Sequence, residues 1–199
     1  MRLYDFHLSG NAHKVRNLLS VLGVEHERVN VDLLAGEQRA PEFLTLNPFG
    51  KVPVLVDGDV VLRDSSAIAV YLGRKFGRGE WLPVDAEGEA RVQEWLAICT
   101  GEVANAPGFA RLITVFGAEG DLEEAQQKSH ALLERFEEHL SEQPFLAGER
   151  PTIADITNYS YIALAPDGGV ELGAYPAIRG WLERLEKLPG FEPAPQQPA

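Results

Sequence analysis

A chain of 199 residues with 18 basic against 30 acidic side chains, a formal net charge of −12, repels a phosphate backbone, and its lysines and arginines are scattered, which excludes nucleic acid as a partner. Its 45% hydrophobic content suffices for a buried core, yet no apolar run approaches the roughly 20 residues that cross a bilayer, and the single cysteine, Cys99, permits no intrachain disulfide. The five histidines (His7, His13, His26, His130 and His139) show neither HxH nor HExxH spacing and have no thiolate cluster to join, so no metal site is expected. Met1 to Phe6 lacks the basic start and apolar stretch of a signal peptide, and a reducing cytoplasm is the expected home.

Arg2 to Phe6 alternates as a short strand, and Ser9, Gly10 and Asn11 form a turn that caps a helix. Val15, Leu18, Leu19 and Leu22 then recur at i, i+3, i+4 and i+7, one apolar helical face, with Gly23 as its stop. Between Glu27 and Leu33, Val29, Val31 and Leu33 alternate with polar residues, the period of a half-buried strand. After the turn cluster Asn47 to Lys51, Val52 to Val56 and Val60 to Leu62 flank Asp57-Gly58, a hairpin signal. Asp64-Ser65 caps a helix carrying Ile68, Tyr71, Leu72 and Phe76 that ends among Gly77 and Gly79.

The stretch 80–88, with Pro83, Asp85 and Gly88, breaks the periodicity and suits a linker. Beyond it only helical spacings recur: Val92, Trp95, Leu96 and Cys99; Leu132, Leu133, Phe136 and Leu140; Ile178, Trp181, Leu182 and Leu185. Ala106-Pro107-Gly108 divides the first of these helices, Thr152 and Asp155 have capping-box spacing, and the proline-rich tail from Pro189 is expected to be poorly ordered. The expected organisation is an α/β domain over 1–79, a linker over 80–88 and an all-helical domain over 89–199.

The β-α-β-α-β-β-α order of the first domain is thioredoxin-like. With the run Asn47-Pro-Phe-Gly-Lys-Val-Pro-Val-Leu55 and the helical second domain, the chain resembles the cytosolic glutathione transferases over essentially its whole length. Further carriers are Ser9 to Arg16, Pro41-Glu-Phe-Leu44, Asp64-Ser-Ser-Ala-Ile68, Leu146-Ala-Gly148 through Thr152-Ile-Ala-Asp155, and Tyr175-Pro176 to Gly190. The resemblance implies glutathione as co-substrate, no metal, a homodimer built on the helix after Asp64 and the Arg91–Leu96 helix, and a small hydrophobic electrophile as second substrate.

Glutathione is an extended tripeptide. Val52, before a Pro53 that by resemblance carries a cis peptide, is placed to offer backbone N–H and C=O to its cysteinyl unit. Its γ-glutamyl end is a zwitterion, for which the helix start at Ser65 is an anion receptor and Asp64 a carboxylate for the ammonium; the family usually has Glu or Gln at the Asp64 position. For the glycyl carboxylate the resemblance implies Lys51 and Gln38. A cysteine thiol of pKa about 8.5 must be ionised to attack, and donors at a helix N-terminus favour the thiolate. Ser9 is the first candidate for that task and Asn11 the second.

The run Ser9-Gly-Asn-Ala-His-Lys-Val15 is most similar to the bacterial nu-class pattern, which keeps glutathione-dependent disulfide reduction as an alternative to transfer; a non-catalytic glutathione- or partner-binding module is a third reading. The electrophile pocket is expected between the His7-Leu8 turn, Asn105 to Arg111 and Tyr159. His13 is expected on a partly solvated helix face, and Cys99 as a buried, inert thiol.

Overall fold

The computed structural model describes residues 1–195. Four strands, β1 (Arg2–Asp5), β2 (Glu27–Asn30), β3 (Val54–Asp57) and β4 (Val60–Leu62), form one sheet in the order β2-β1-β3-β4. β1 runs parallel to β2 and antiparallel to β3, and β3 turns back into β4 through Asp57-Gly58, with Gly58 at φ 61° as that turn requires. Around the sheet lie α1 (Gly10–Val21), α2 (Pro41–Leu46) and α3 (Ser65–Phe76). The rest is helical: α4 (Ala86–Ile98), a π turn over Cys99–Val103, α5 (Pro107–Phe116), α6 (Leu122–Glu142), α7 (Ile153–Ala163) and α8 (Pro176–Glu186). A mixed-sheet α/β unit followed by an all-helical one is the architecture expected from the hydrophobic periods.

Two elements differ from expectation. The alternation through Leu33 forecasts a longer β2, but the ladder ends at Asn30 because Asp32 Oδ1 accepts the N–H of Leu34 and Ala35, turning the chain away from the sheet. α4 begins at Ala86, inside the stretch expected to be linker, where Asp85 accepts the Gly88 N–H as its cap. The Ala106-Pro107 break lies where expected: Ala106 leaves helical geometry at φ −115°, ψ −93°, and α5 restarts with proline in its first turn.

α1 is the centre of the molecule. Val15, Leu18 and Leu19 pack in one cluster with Leu3 and Leu55 of the sheet, Ile68 and Leu72 of α3, and Ile156 and Ile162 of α7. Ala12 belongs to a smaller cluster with Phe6, Val31, Phe43, Val52 and Val54. The helix is thus enclosed on both sides, and its polar residues His13, Lys14, Arg16 and Asn17 are buried with it. α7 is fixed by its own start, where Thr152 and Asp155 form the expected capping box. Asp155, fully buried, accepts from Leu146 N, Thr152 N, Thr152 Oγ1 and Trp181 Nε1; burial pushes its carboxyl above the usual range, opposed by those four donors.

The expectation for His13 is corrected, by a contact that also reaches the stretch beyond Pro189. His13 is 1% exposed, its Nδ1 against Ser160 Oγ at 2.8 Å and its Nε2 against the Glu192 carbonyl at 2.9 Å. Glu192 N also donates to Asn17 Oδ1, and Phe191 packs edge-on against Tyr159, so residues 189–195 are tied to α1 and α7. Residues 196–199 of the expected tail lie outside the described residues. No helix among the described residues is long and apolar enough to cross a membrane.

Burial, helped by the nearby Arg16 charge, lowers the His13 pKa from 6.5 to about 4. The folded protein then keeps this ring neutral where the unfolded chain takes up a proton, so its contribution is full above pH 6.5 and is lost as pH falls toward 4. That span corresponds to about 3 kcal/mol. Urea unfolding of the protein and of His13→Gln between pH 8 and 4 should show the variant with a correspondingly flatter loss of stability; parallel curves would refute the assignment.

Candidate functional site

The turn between β1 and α1 is held from within. Arg16, on α1, points back and donates to Asp5 Oδ1 and to the carbonyls of Phe6 and His7. Asp5 is 3% exposed and uses its other oxygen for Arg28. From α5, Arg111 donates to the Leu8 carbonyl at 3.0 Å and to Asp167 Oδ2 at 2.8 Å, while its second terminal nitrogen, Nη2, is buried without a partner among the described residues. Three successive carbonyls are therefore satisfied on the inner side, and the chain emerges at Ser9 ready to start the helix.

Ser9 is the N-cap of α1, its Oγ accepting the Ala12 N–H at 3.2 Å. A hydroxyl that accepts in this way keeps its own O–H free to donate. Asn11, half-buried one turn along, receives Lys14 Nζ on Oδ1 at 2.9 Å and Ser65 Oγ on the same oxygen at a longer 3.4 Å. The last contact joins the start of α1 to the start of α3, bringing the two expected halves of the site together. Gly10 lies between Ser9 and Asn11 because Tyr161 of α7 stands against it: a Cβ there would meet the ring at 2.6 and 2.8 Å.

Of the expected peptide-binding residues, Ser65 meets Asn11 and Val52 shares the smaller core with Ala12. Val52-Pro53 is cis, and the β1–β3 ladder ends at Tyr4 and Val54, so the backbone of Val52 is not taken by a neighbouring strand among the described residues. Asp64 caps α3, one oxygen accepting both Ser66 N and Ala67 N at 2.9 Å. That leaves its second carboxylate oxygen without a partner among the described residues, while the buried Ser65 directs its hydroxyl to Asn11. Gln38 donates to the Leu33 carbonyl and its Oε1 is buried without a partner among the described residues; its backbone carbonyl lies 3.2 Å from where a Cβ on Gly50 would stand. Lys51 is exposed, and its carbonyl is fixed by Asn47 Nδ2 at 2.6 Å.

The expected electrophile lining divides. Arg111 meets the Leu8 turn, and Leu8 and Phe116 are half-buried at the edge of the smaller core. Asn105 instead lines a hollow of about 470 Å³ with Lys128, Leu132 and Arg135 of α6, which shares no residue with the glutathione set. Tyr159 is 1% exposed, its hydroxyl donating to Glu186, and it belongs to the helical core rather than to the cleft. Cys99 is buried, as expected, its S–H directed at the Thr157 carbonyl. Sequence reasoning missed Lys14, Arg16 and Tyr161. The available signal was α7 itself, which carries a single charged residue, Asp155, and so calls for neighbours such as α1 to enclose it.

Among the described residues, no three His, Cys, Asp or Glu side chains are grouped so as to hold a metal ion. Family models for the glutathione S-transferase N-terminal domain and C-terminal domain match residues 1–74 and 102–189. The chain is 33% identical over 205 residues to glutathione S-transferase 3 of Zea mays, covering 96% of this chain and 91% of that protein. A glutathione S-transferase crystal structure from Pseudomonas fluorescens superimposes with a TM-score of 0.91 at 30% identity, covering 96% of this chain and 97% of that one. A glutathione transferase from Phanerochaete chrysosporium, solved in complex with oxidized glutathione, gives 0.88 at 27% identity, with 95% and 91% covered.

The contact between Gly10 and Tyr161 yields a direct test. In an exposed helix a Gly→Ala change stabilises by about 1 kcal/mol. At position 10 the added methyl must displace a ring that is 8% exposed, and overpacking of that kind costs about 1–3 kcal/mol. Gly10→Ala should therefore lower the urea midpoint, and a raised midpoint would show that Tyr161 does not constrain the start of α1.

Proposed function

The chain belongs to the glutathione S-transferase family, and from that premise we propose that Ser9 and Asn11 activate glutathione as a thiolate for attack on a small hydrophobic electrophile. It is a glutathione transferase, with glutathione as co-substrate. The observation that carries the site assignment is the arrangement at the start of α1. A capping hydroxyl with its proton free and an amide clamped by its oxygen both present donors at the positive end of a helix. Such donors stabilise S⁻ more than S–H, shifting the thiol toward ionisation at neutral pH.

In this reading the cysteinyl backbone pairs with Val52 before the cis-Pro53. The γ-glutamyl carboxylate is received by Ser65 at the start of α3, and the ammonium by the free oxygen of Asp64. Lys51, with Gln38 beside it, serves the glycyl carboxylate. The thiolate then forms a bond to the electrophilic carbon while the leaving group departs with its electron pair, over the apolar lip that Leu8 and Phe116 provide. No observation favours disulfide exchange or non-catalytic binding over this reading. The proposal extends to a homodimer in a reducing cytoplasm, supported by Phe49, 79% exposed beside the Lys51 loop, and by the absence of any disulfide partner for Cys99.

Each hydrogen bond to a charged group contributes about 1.5–3 kcal/mol, so losing both donors predicts a fall of roughly 100-fold or more in kcat/KM. Conjugation of glutathione to a chloronitroarene by Ser9→Ala/Asn11→Ala, compared with the unmodified protein, measures it. A variant that binds glutathione and keeps activity within a few-fold would defeat the assignment.

A further inference from the structure

Lys14 is 1% exposed, at the end of α1 that carries Ser9 and Asn11, and none of its three neighbours is an anion. Its Nζ reaches Asn11 Oδ1 at 2.9 Å, Cys99 Sγ at 3.1 Å and the ring face of Tyr161 at 4.8 Å from the centroid. Three N–H groups thus find three electron-rich receivers. Cys99 is suited to its place because its S–H is directed to the Thr157 carbonyl at 3.3 Å, leaving the sulfur lone pairs toward Lys14. Burying a cation among neutral groups is costly, and a methionine would fill the same space without that cost.

A lysine Nζ only donates, so the Asn11 atom it touches is the oxygen and not the nitrogen. Ser65 Oγ approaches the same oxygen from the other side. The amide orientation is consequently set by chemistry, and the Asn11 N–H₂ is left without a partner among the described residues.

We propose that Lys14 is a positioning residue for glutathione activation: from inside the protein it grips Asn11 by the amide oxygen, so that the amide N–H₂ is what the sulfur meets, and it sets a positive charge one hydrogen bond behind that donor. The proposal rests on the reading of Asn11 as a sulfur contact. Thiolate formation then supplies the anion that the apo cluster of Lys14, Asn11, Cys99 and Tyr161 lacks. The effect is specific to the ionised sulfur, which separates it from a role in packing.

The test compares Lys14→Met, Asn11→Ala and the unmodified protein by two measurements, the pH titration of thiolate absorbance in the glutathione complex and the Kd for S-methylglutathione, which cannot ionise. Lys14→Met should raise the thiolate midpoint by about one pH unit and lower turnover at neutral pH about tenfold. Its S-methylglutathione Kd should change less than about twofold. An unmoved midpoint, or S-methylglutathione affinity lost in step with glutathione affinity, overturns the proposal. If Asn11→Ala moves the midpoint and Lys14→Met does not, only the role of Lys14 falls; if glutathione binds and Asn11→Ala has no effect, the Asn11 assignment falls and the proposal with it. Should Lys14→Met fail to fold, the ¹⁵N signal of the buried lysine amine in the unmodified protein decides. It should shift with glutathione and stay in place with S-methylglutathione, and an equal response to both ligands overturns the proposal.

Discussion

Three consecutive carbonyls, those of Phe6, His7 and Leu8, are held on the inner side of the β1–α1 turn by two buried guanidinium groups. Backbone acceptors buried without donors would be expensive; the Ser9 N–H reaches the Phe6 carbonyl at 2.9 Å, and the guanidinium groups serve the His7 and Leu8 carbonyls. Arg16 and Arg111 do so from opposite directions, one from the helix that the turn begins and one from α5. Asp5 balances the first and Asp167 the second. A buried ion pair is weak evidence of net stability, because desolvation offsets its attraction, but its geometry admits few alternatives. Here that geometry sets where Ser9 emerges and so which way the first amides of α1 face.

Under the proposed assignment, helix capping and ligand recognition draw on the same groups at both ends of the site. Ser9 and Asp64 each satisfy N–H groups of a following helix, and each retains one polar capacity: a hydroxyl proton in the first case, a carboxylate oxygen in the second. A residue can therefore be a cap and a ligand contact at once, and the substitution that removes one role removes the other. The contact of Ser65 with Asn11 links these two helix starts.

Local chemistry in the sequence was sufficient for the hairpin and for the helix starts that frame the candidate site. Asp57-Gly58 specifies its hairpin, Asp64 and Thr152 specify their helix starts, and the run from Asn47 to Leu55 carries the family pattern. The inner half was not legible, because it depends on what α7 and α5 bring from more than 90 residues away. His13 and Lys14 read as ordinary helix polar residues until α7 covers them, and Arg16 until it meets Asp5 and the β1–α1 turn. Tyr159 and Tyr161 show the same limit: two positions apart on a helix, they face nearly opposite ways, and the one that meets Gly10 is Tyr161. The tail, rich in proline, reads as loose, yet Phe191 and Glu192 find partners on α7 and α1 that composition does not disclose.

Four of the contacts that cross from the helical part of the chain to the sheet part converge on one place. Arg111 to the Leu8 carbonyl, Tyr161 on Gly10, Cys99 on Lys14 and Glu192 on His13 all end within the six positions from Leu8 to His13 or on the next residue. The sheet part cannot loosen without stripping these donors and acceptors of their partners, nor can α7 withdraw and leave α1 enclosed. The chain therefore has a single cooperative unit at its centre: unfolding is expected as one transition, and the site is lost with the first segment to depart, whichever half it comes from.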